Sequence, residues 1–204
     1  MRVDPKSCPR NEDAIHRLVR DHPFAHLISS RSGELLCTPL PLILDHDVEA
    51  PHLIGHLARS NPQAAALVRE PRALVVFSGT HGYISPSWMR DRTQAPTWNY
   101  ESVQFDVEVD FDEDAGFALE RLVARMEHGR RDAWRVSEMG DRYPGLSRAV
   151  IAFRARIIDT RARFKLGQDE RADVFDDILA GLERERQHEL LSAMVRQASR
   201  ASGD

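Results

Sequence analysis

The run Val103-Gln104-Phe105-Asp106-Val107-Glu108-Val109-Asp110-Phe111 alternates apolar and polar side chains without a break. Successive side chains of a strand point to opposite faces, so Val103, Phe105, Val107, Val109 and Phe111 fall on one face. Gln104, Asp106, Glu108 and Asp110 fall on the other. The run predicts a half-buried strand, and the rest of the chain is read outward from it. Downstream, Asp112-Glu113-Asp114 loads a helix start with negative charge, which suits the helix dipole, and Leu119, Leu122, Val123 and Met126 repeat at helical spacing. Alternation returns over Ala149 to Ile157. A last helix from about Asp169 carries Phe175, Ile178, Leu179 and Leu182, followed by a charged extension whose small polar tail is expected to fray.

Upstream, Pro71 leads into an apolar strand from Ala73 to Phe77, and Ser60-Asn61-Pro62 opens a short helix from Gln63 to Arg69. Three further β-prone runs, Phe24 to Ser29, Leu35 to Leu44 and His52 to Leu57, are separated by Ser32-Gly33 and Asp45-His46-Asp47. Asn11 caps a first helix that His22-Pro23 stops. Five or six strands in antiparallel succession, with helices at the edges and no regular βα alternation, predict an α+β domain built round a β-barrel or sandwich. A single domain over residues 1–204, with a C-terminal helical extension from about 169, is expected.

Composition sets the class of partner. The chain has 204 residues, 42% of them apolar and 29% charged, with net charge −4. That length buries a core without staples. The acidic balance speaks against a domain whose work is gripping nucleic acid, which needs a concentrated basic face. Lys6 and Lys165 are the only lysines among 28 basic side chains. Cys8 and Cys37 have no CxxC spacing, so a reducing cytoplasm is the expected compartment. The N-terminal stretch lacks the apolar core of a secretory signal, and no window has the length of a membrane span.

Three stretches are polar, aromatic and punctuated by glycine or proline at expected strand ends. In the first, Gly55 to Pro62, Ser60 and the backbone N–H groups near Asn61 offer an anion site with Arg59 alongside. Equally, Ser60 or Asn61 caps a helix and Arg59 is surface. His56 suits a ligand, a proton donor or a hydrogen-bonded core residue. The second pair, Thr80 to Trp88 and Pro96 to Tyr100, concentrates aromatics beside hydroxyl and amide donors. Such a set suits a planar heterocyclic cofactor, or equally an aromatic core corner. The third, Phe164 to Gln168, offers a cation and an amide before the last helix. There is no GxGxxG, GxxxxGK[ST], GxSxG or HExxH.

Taken in order, GHLARSNPQ at 55–63, HGYISPSW at 81–88, PTWNY at 96–100 and FKLGQ at 164–168 resemble the PaiB family of FMN-binding split-barrel proteins, usually labelled negative transcriptional regulators. The resemblance runs from Phe24 to about Leu182. It implies a six-stranded antiparallel split barrel related to pyridoxamine-phosphate oxidases, assembled as a homodimer with FMN near the subunit interface. By motif, Arg59, Ser60 and Lys165 are implied at the flavin phosphate. Ser87, Trp98, Asn99 and Gln168 are implied round the ribityl chain or ring, with His56 and Asn61 also in the site. The chain departs from the family in reading CTPLP, with Pro39 where a histidine is usual, and in having Ala64 where an aromatic is usual. The same pattern resembles the haem-dependent piperazate synthases, which form an N–N bond in an N-hydroxylated amino acid. That reading makes His56 the axial ligand of haem b. One scaffold thus admits a flavin oxidoreductase acting on a small molecule, a haem enzyme and a non-enzymatic regulator. Direct DNA binding is not expected of any of them.

Overall fold

The computed structural model describes residues 5–45, 51–111 and 113–198. In chain order the elements are α1 (Glu12–Asp21), β1 (Phe24–Arg31), β2 (Glu34–Pro41), β3 (Ile43–Asp45), β4 (His52–Ala58), α2 (Pro62–Arg69) and β5 (Arg72–Ile84). There follow β6 (Thr97–Asp110), α3 (Ala115–Glu127), α4 (Tyr143–Arg148), β7 (Val150–Lys165), α5 (Ala172–Arg184) and α6 (His188–Ala198). The His46-Asp47 turn signal, Asp112 and the polar tail beyond 198 lie outside the described residues.

The seven strands of the described residues form one sheet in the order β2-β1-β5-β6-β7-β4-β3, one strand more than the six expected. The extra strand arises because Leu35 to Leu44 is two strands rather than one. Pro41 ends β2, and Leu42 gives its N–H to the Pro23 carbonyl at 2.9 Å instead of continuing the ladder. Thus β2 pairs with β1 while β3 pairs with β4.

The chain divides into two compact units, Val19–Phe77 with Gln104–Thr160, and Met1–Leu18 with Ser78–Val103 and Arg161–Asp204. In the former, Ser32 (φ 52°) and Gly33 (φ 87°) make the left-handed two-residue turn that matches strand twist, and this sets Arg31 opposite Glu34. The β6 alternation sends Phe105, Val107 and Val109 into the core, where Phe105 meets Phe77 edge-on at 5.9 Å. Each such side chain contributes about 1.5–3 kcal/mol through burial. Asp114 caps α3 by accepting from the Phe117 N–H at 2.8 Å, and Ala118 packs on Ile43, Ile54 and Ala152. Gly55 faces Phe153 across β4 and β7, where a Cβ would run into Leu42 and the Phe153 ring.

The other unit holds the 78–84, 97–103 and 161–165 segments of β5, β6 and β7 with α5 and α6. Val174, Ile178 and Leu182 bury one stripe of α5. The charged extension folds as α6, because Leu190, Ala193 and Met194 recur at helical spacing and are buried. Trp88 lies on the backbone of Gly181, so close that no side chain fits at that position. The 85–96 connection is fastened to α5 by Arg90 and Asp177 (Nε to Oδ1, 2.9 Å) and to Arg171 by Asp91 (3.0 Å).

Candidate functional site

The expected site residues fall into two sets, one in each unit. His56, Arg59, Ser60 and Asn61 follow one another from the end of β4 into α2. Asn61 is the N-cap of α2, its Oδ1 accepting from the Gln63 N–H at 2.9 Å. Its own N–H goes to the Ala58 carbonyl, and Pro62 has none to offer. The backbone donors of Asn61 and Gln63 are therefore already taken, and of the two readings of this corner Asn61 follows the capping one. Arg59 is committed as well: its Nε donates to the Arg148 carbonyl at 3.1 Å, its Nη2 to Val150 at 2.9 Å and its N–H to Ala149 at 2.8 Å. Ser60 is exposed, and neither its hydroxyl nor its N–H takes part in a hydrogen bond. Of the three residues 59–61 it is the one whose polar groups face outward unspent.

His56 is half-buried on β4. Burial pushes its pKa below the usual histidine value, so the ring is neutral near pH 7. Its Nδ1 is buried with no hydrogen-bond partner.

In the other unit, Trp98 stands out from β6 with 55% of its surface exposed. Tyr83 and His81, on β5, lie beside it at centroid distances of 6.0 and 6.4 Å. Two residues along β6, Tyr100 carries the Arg163 guanidinium at 6.0 Å from its ring centroid, and the Arg163 Nε is buried without a hydrogen-bond partner. Lys165 donates from Nζ to the Thr97 hydroxyl. This half of the sheet thus presents a row of aromatic rings with cations at its side, an arrangement that suits a flat, anionic ligand.

The remaining expectations do not join that face. Asn99 alternates to the interior, where its Nδ2 reaches the Met194 sulfur at 3.5 Å. Gln168 spends its amide on its own turn, accepting from the Leu166 N–H at 2.7 Å and donating to the Phe164 carbonyl. It also lines a cavity of about 540 Å³ with Cys8, Phe175 and Gln197. Ser87 sits in a 3-10 turn, its hydroxyl 2.8 Å from that of Ser85. His81, Tyr83, Tyr100 and Arg163 were not among the expected site residues. The signal for His81, Tyr83 and Tyr100 was two-residue spacing within runs already marked as unusual, whereas Arg163 lies one residue before the third run. Among the described residues no group of three or more His, Cys, Asp or Glu side chains is placed to hold a metal ion.

The sequence of residues 1–159 matches the family described as "Putative FMN-binding domain", and the chain belongs to that family. It is similar, at 26% identity over 86% of each chain, to the protease synthase and sporulation protein PAI 2 of Bacillus subtilis. In fold it is similar to the FAD and haem binding protein of Mycobacterium smegmatis, with a TM-score of 0.60 and 21% identity over 85% of this chain and 79% of that one. It is also similar to a flavocytochrome of Azotobacter vinelandii, with a TM-score of 0.57 and 16% identity over 76% and 68%. These likenesses establish the split-barrel fold with flanking helices. No helix of the described residues is long and apolar enough to cross a membrane.

Proposed function

We propose that the chain is an FMN-binding flavoprotein with redox activity towards a small molecule, acting as a homodimer. The observation that carries this reading is the exposed row of His81, Tyr83 and Trp98 with Arg163 and Lys165 at its edge. An isoalloxazine ring offers the flat apolar face such a row stacks on, and the unpartnered Arg163 Nε is a donor in want of an acceptor. Within the unit that holds α2, and taken by itself, Ser60 with its hydroxyl and N–H open is the residue best fitted to a phosphate oxygen, with the remaining Arg59 Nη1 as its neighbour. Bound flavin would supply electron or hydride transfer, while the chain supplies binding, orientation and exclusion of water. The absorption spectrum after reconstitution with FMN and desalting tests the reading. A retained flavin double band supports it. Loss of all flavin on the column, with no quenching of tryptophan fluorescence during titration, refutes it. Light scattering of the same sample tests the dimer.

A second reading, a haem enzyme acting on an N-hydroxylated amine, rests on His56. Its neutral imidazole meets the ionisation state that iron ligation needs. Ligating histidines usually give their second ring N–H to an acceptor, and the buried Nδ1 has none. That missing contact is why flavin stands first. A Soret band after haem reconstitution that vanishes in His56→Ala would reverse the order.

A further inference from the structure

We infer that Thr38 and Gln63 are positioning residues for the flavin phosphate, acting through Asn61 to hold the Arg59-Ser60 corner in its binding shape. The inference rests on the reading that this corner meets the phosphate. Gln63 is 1% exposed, beneath the first turn of α2. Its Nε2 donates to the Leu27 carbonyl and to the Ser29 hydroxyl, each at 3.0 Å. A carbonyl can only accept, so the orientation of the Gln63 amide is fixed and its Oε1 must face Thr38. The Thr38 hydroxyl donates to that oxygen and accepts from Asn61 Nδ2 at 2.9 Å. Asn61 Oδ1 is thereby turned to the Gln63 N–H at 2.9 Å, which closes the circuit.

Each group in the circuit has one role it can fill, and the direction is set by the backbone of β1. Reversal of the Gln63 amide would set its oxygen against the Leu27 carbonyl, acceptor against acceptor, and reversal of Asn61 would set its Nδ2 against the Gln63 N–H, donor against donor. The circuit therefore fixes Asn61 in a single rotamer, and Asn61 is bonded to Ser60 in the chain. With Asn61 free to turn, its amide would compete for the ligand or swing across Ser60. A polar loop rooted in a buried amide and satisfied at each link is a costly thing to build for capping an eight-residue helix. Its outlet is Ser60, whose hydroxyl and N–H are both unspent.

The test compares dissociation constants for FMN and riboflavin, which differ only by the phosphate, in the full chain and three variants. Thr38→Val keeps the shape of the side chain and removes the hydroxyl. Its FMN-over-riboflavin preference is expected to fall about fivefold, the value of one hydrogen bond. Thr38→Ser is expected to restore it. Gln63→Leu is expected to lower the same ratio and carries the test if Thr38→Val fails to fold. Riboflavin affinity should hold in all three, a split that a merely structural lesion would not produce. A wild-type preference for FMN that survives both Thr38→Val and Gln63→Leu overturns the inference. Equal loss of both ligands overturns it too. No wild-type preference for FMN over riboflavin removes the phosphate reading beneath it.

Discussion

Arg59→Ala removes a clasp as well as a charge. The guanidinium donates to the carbonyls of Arg148 and Val150, where α4 gives way to β7, at 3.1 and 2.9 Å. A hydrogen bond from a charged donor contributes about 1.5–3 kcal/mol when shielded, and these contacts are exposed. Together they are worth about 1–2 kcal/mol, the backbone bond from Arg59 N to Ala149 being retained in the variant. For a chain of this size that corresponds to a melting temperature lower by about 2–8 °C. Arg59→Lys keeps the charge but reaches one carbonyl at most, so its loss should be about half as large. The assay is thermal unfolding followed by far-ultraviolet circular dichroism, with the FMN-to-riboflavin affinity ratio measured on the same preparations. Because only Nη1 is uncommitted, the ratio should fall less in Arg59→Ala than in Ser60→Ala. Unchanged melting in Arg59→Ala together with complete loss of FMN preference would refute the clasp and make Arg59 a dedicated phosphate ligand.

Trp98→Ala should weaken FMN by about 1–3 kcal/mol, the value of ring stacking, while leaving the melting temperature nearly unchanged because more than half of that side chain is exposed; equal flavin affinity by fluorescence titration would exclude the row. Gly181→Val should drive a side chain into the Trp88 indole and cost about 1–3 kcal/mol of stability, measured as a shift in urea midpoint. Phe105→Ala should cost about 3–5 kcal/mol by the same assay, as a large aromatic removed from the core of the sheet. Stability should also depend on His56. Its folded pKa is lowered, so the unfolded chain takes the proton first and stability falls as pH drops below the unfolded value of 6.5. Urea unfolding at pH 7.5 and pH 5.5 should differ less in His56→Gln than in the wild type.

Local pattern carried much of the fold. The alternation of 103–110 sets buried apolar residues against a more open polar face as expected, while Phe111 falls just past the strand and is half-buried, and Asn11, Asn61 and Asp114 cap the helices that follow them. What escaped was the extent of the strands. Trp98-Asn99-Tyr100 reads as an irregular aromatic segment because proline precedes it and its residues suit a cofactor, yet it is the first half of β6. Once it is a strand, period two sends Trp98 and Tyr100 one way and Asn99 the other, and no composition could tell which amide would be lost to the interior. Arg59 shows a second limit. Its partners lie 89 and 91 residues further along the chain, so the commitment of its guanidinium is a product of strand register. Gln63 was visible as part of NPQ, but its role depends on β1 and β2 meeting beneath it.

The Lys165–Thr97 bond, in a chain with one other lysine, makes a natural reporter. A lysine-specific endoprotease has its two targets at Lys6 and Lys165. Cleavage after Lys165 requires the end of β7 to leave its neighbour, and the rate of that cut therefore measures local opening of this one edge. A ligand that settles over the adjacent rings would slow the cut without any label having been attached. The scarcity of lysine, a quirk of codon usage at first sight, hands the experimenter a proteolytic clock placed beside the face that matters most.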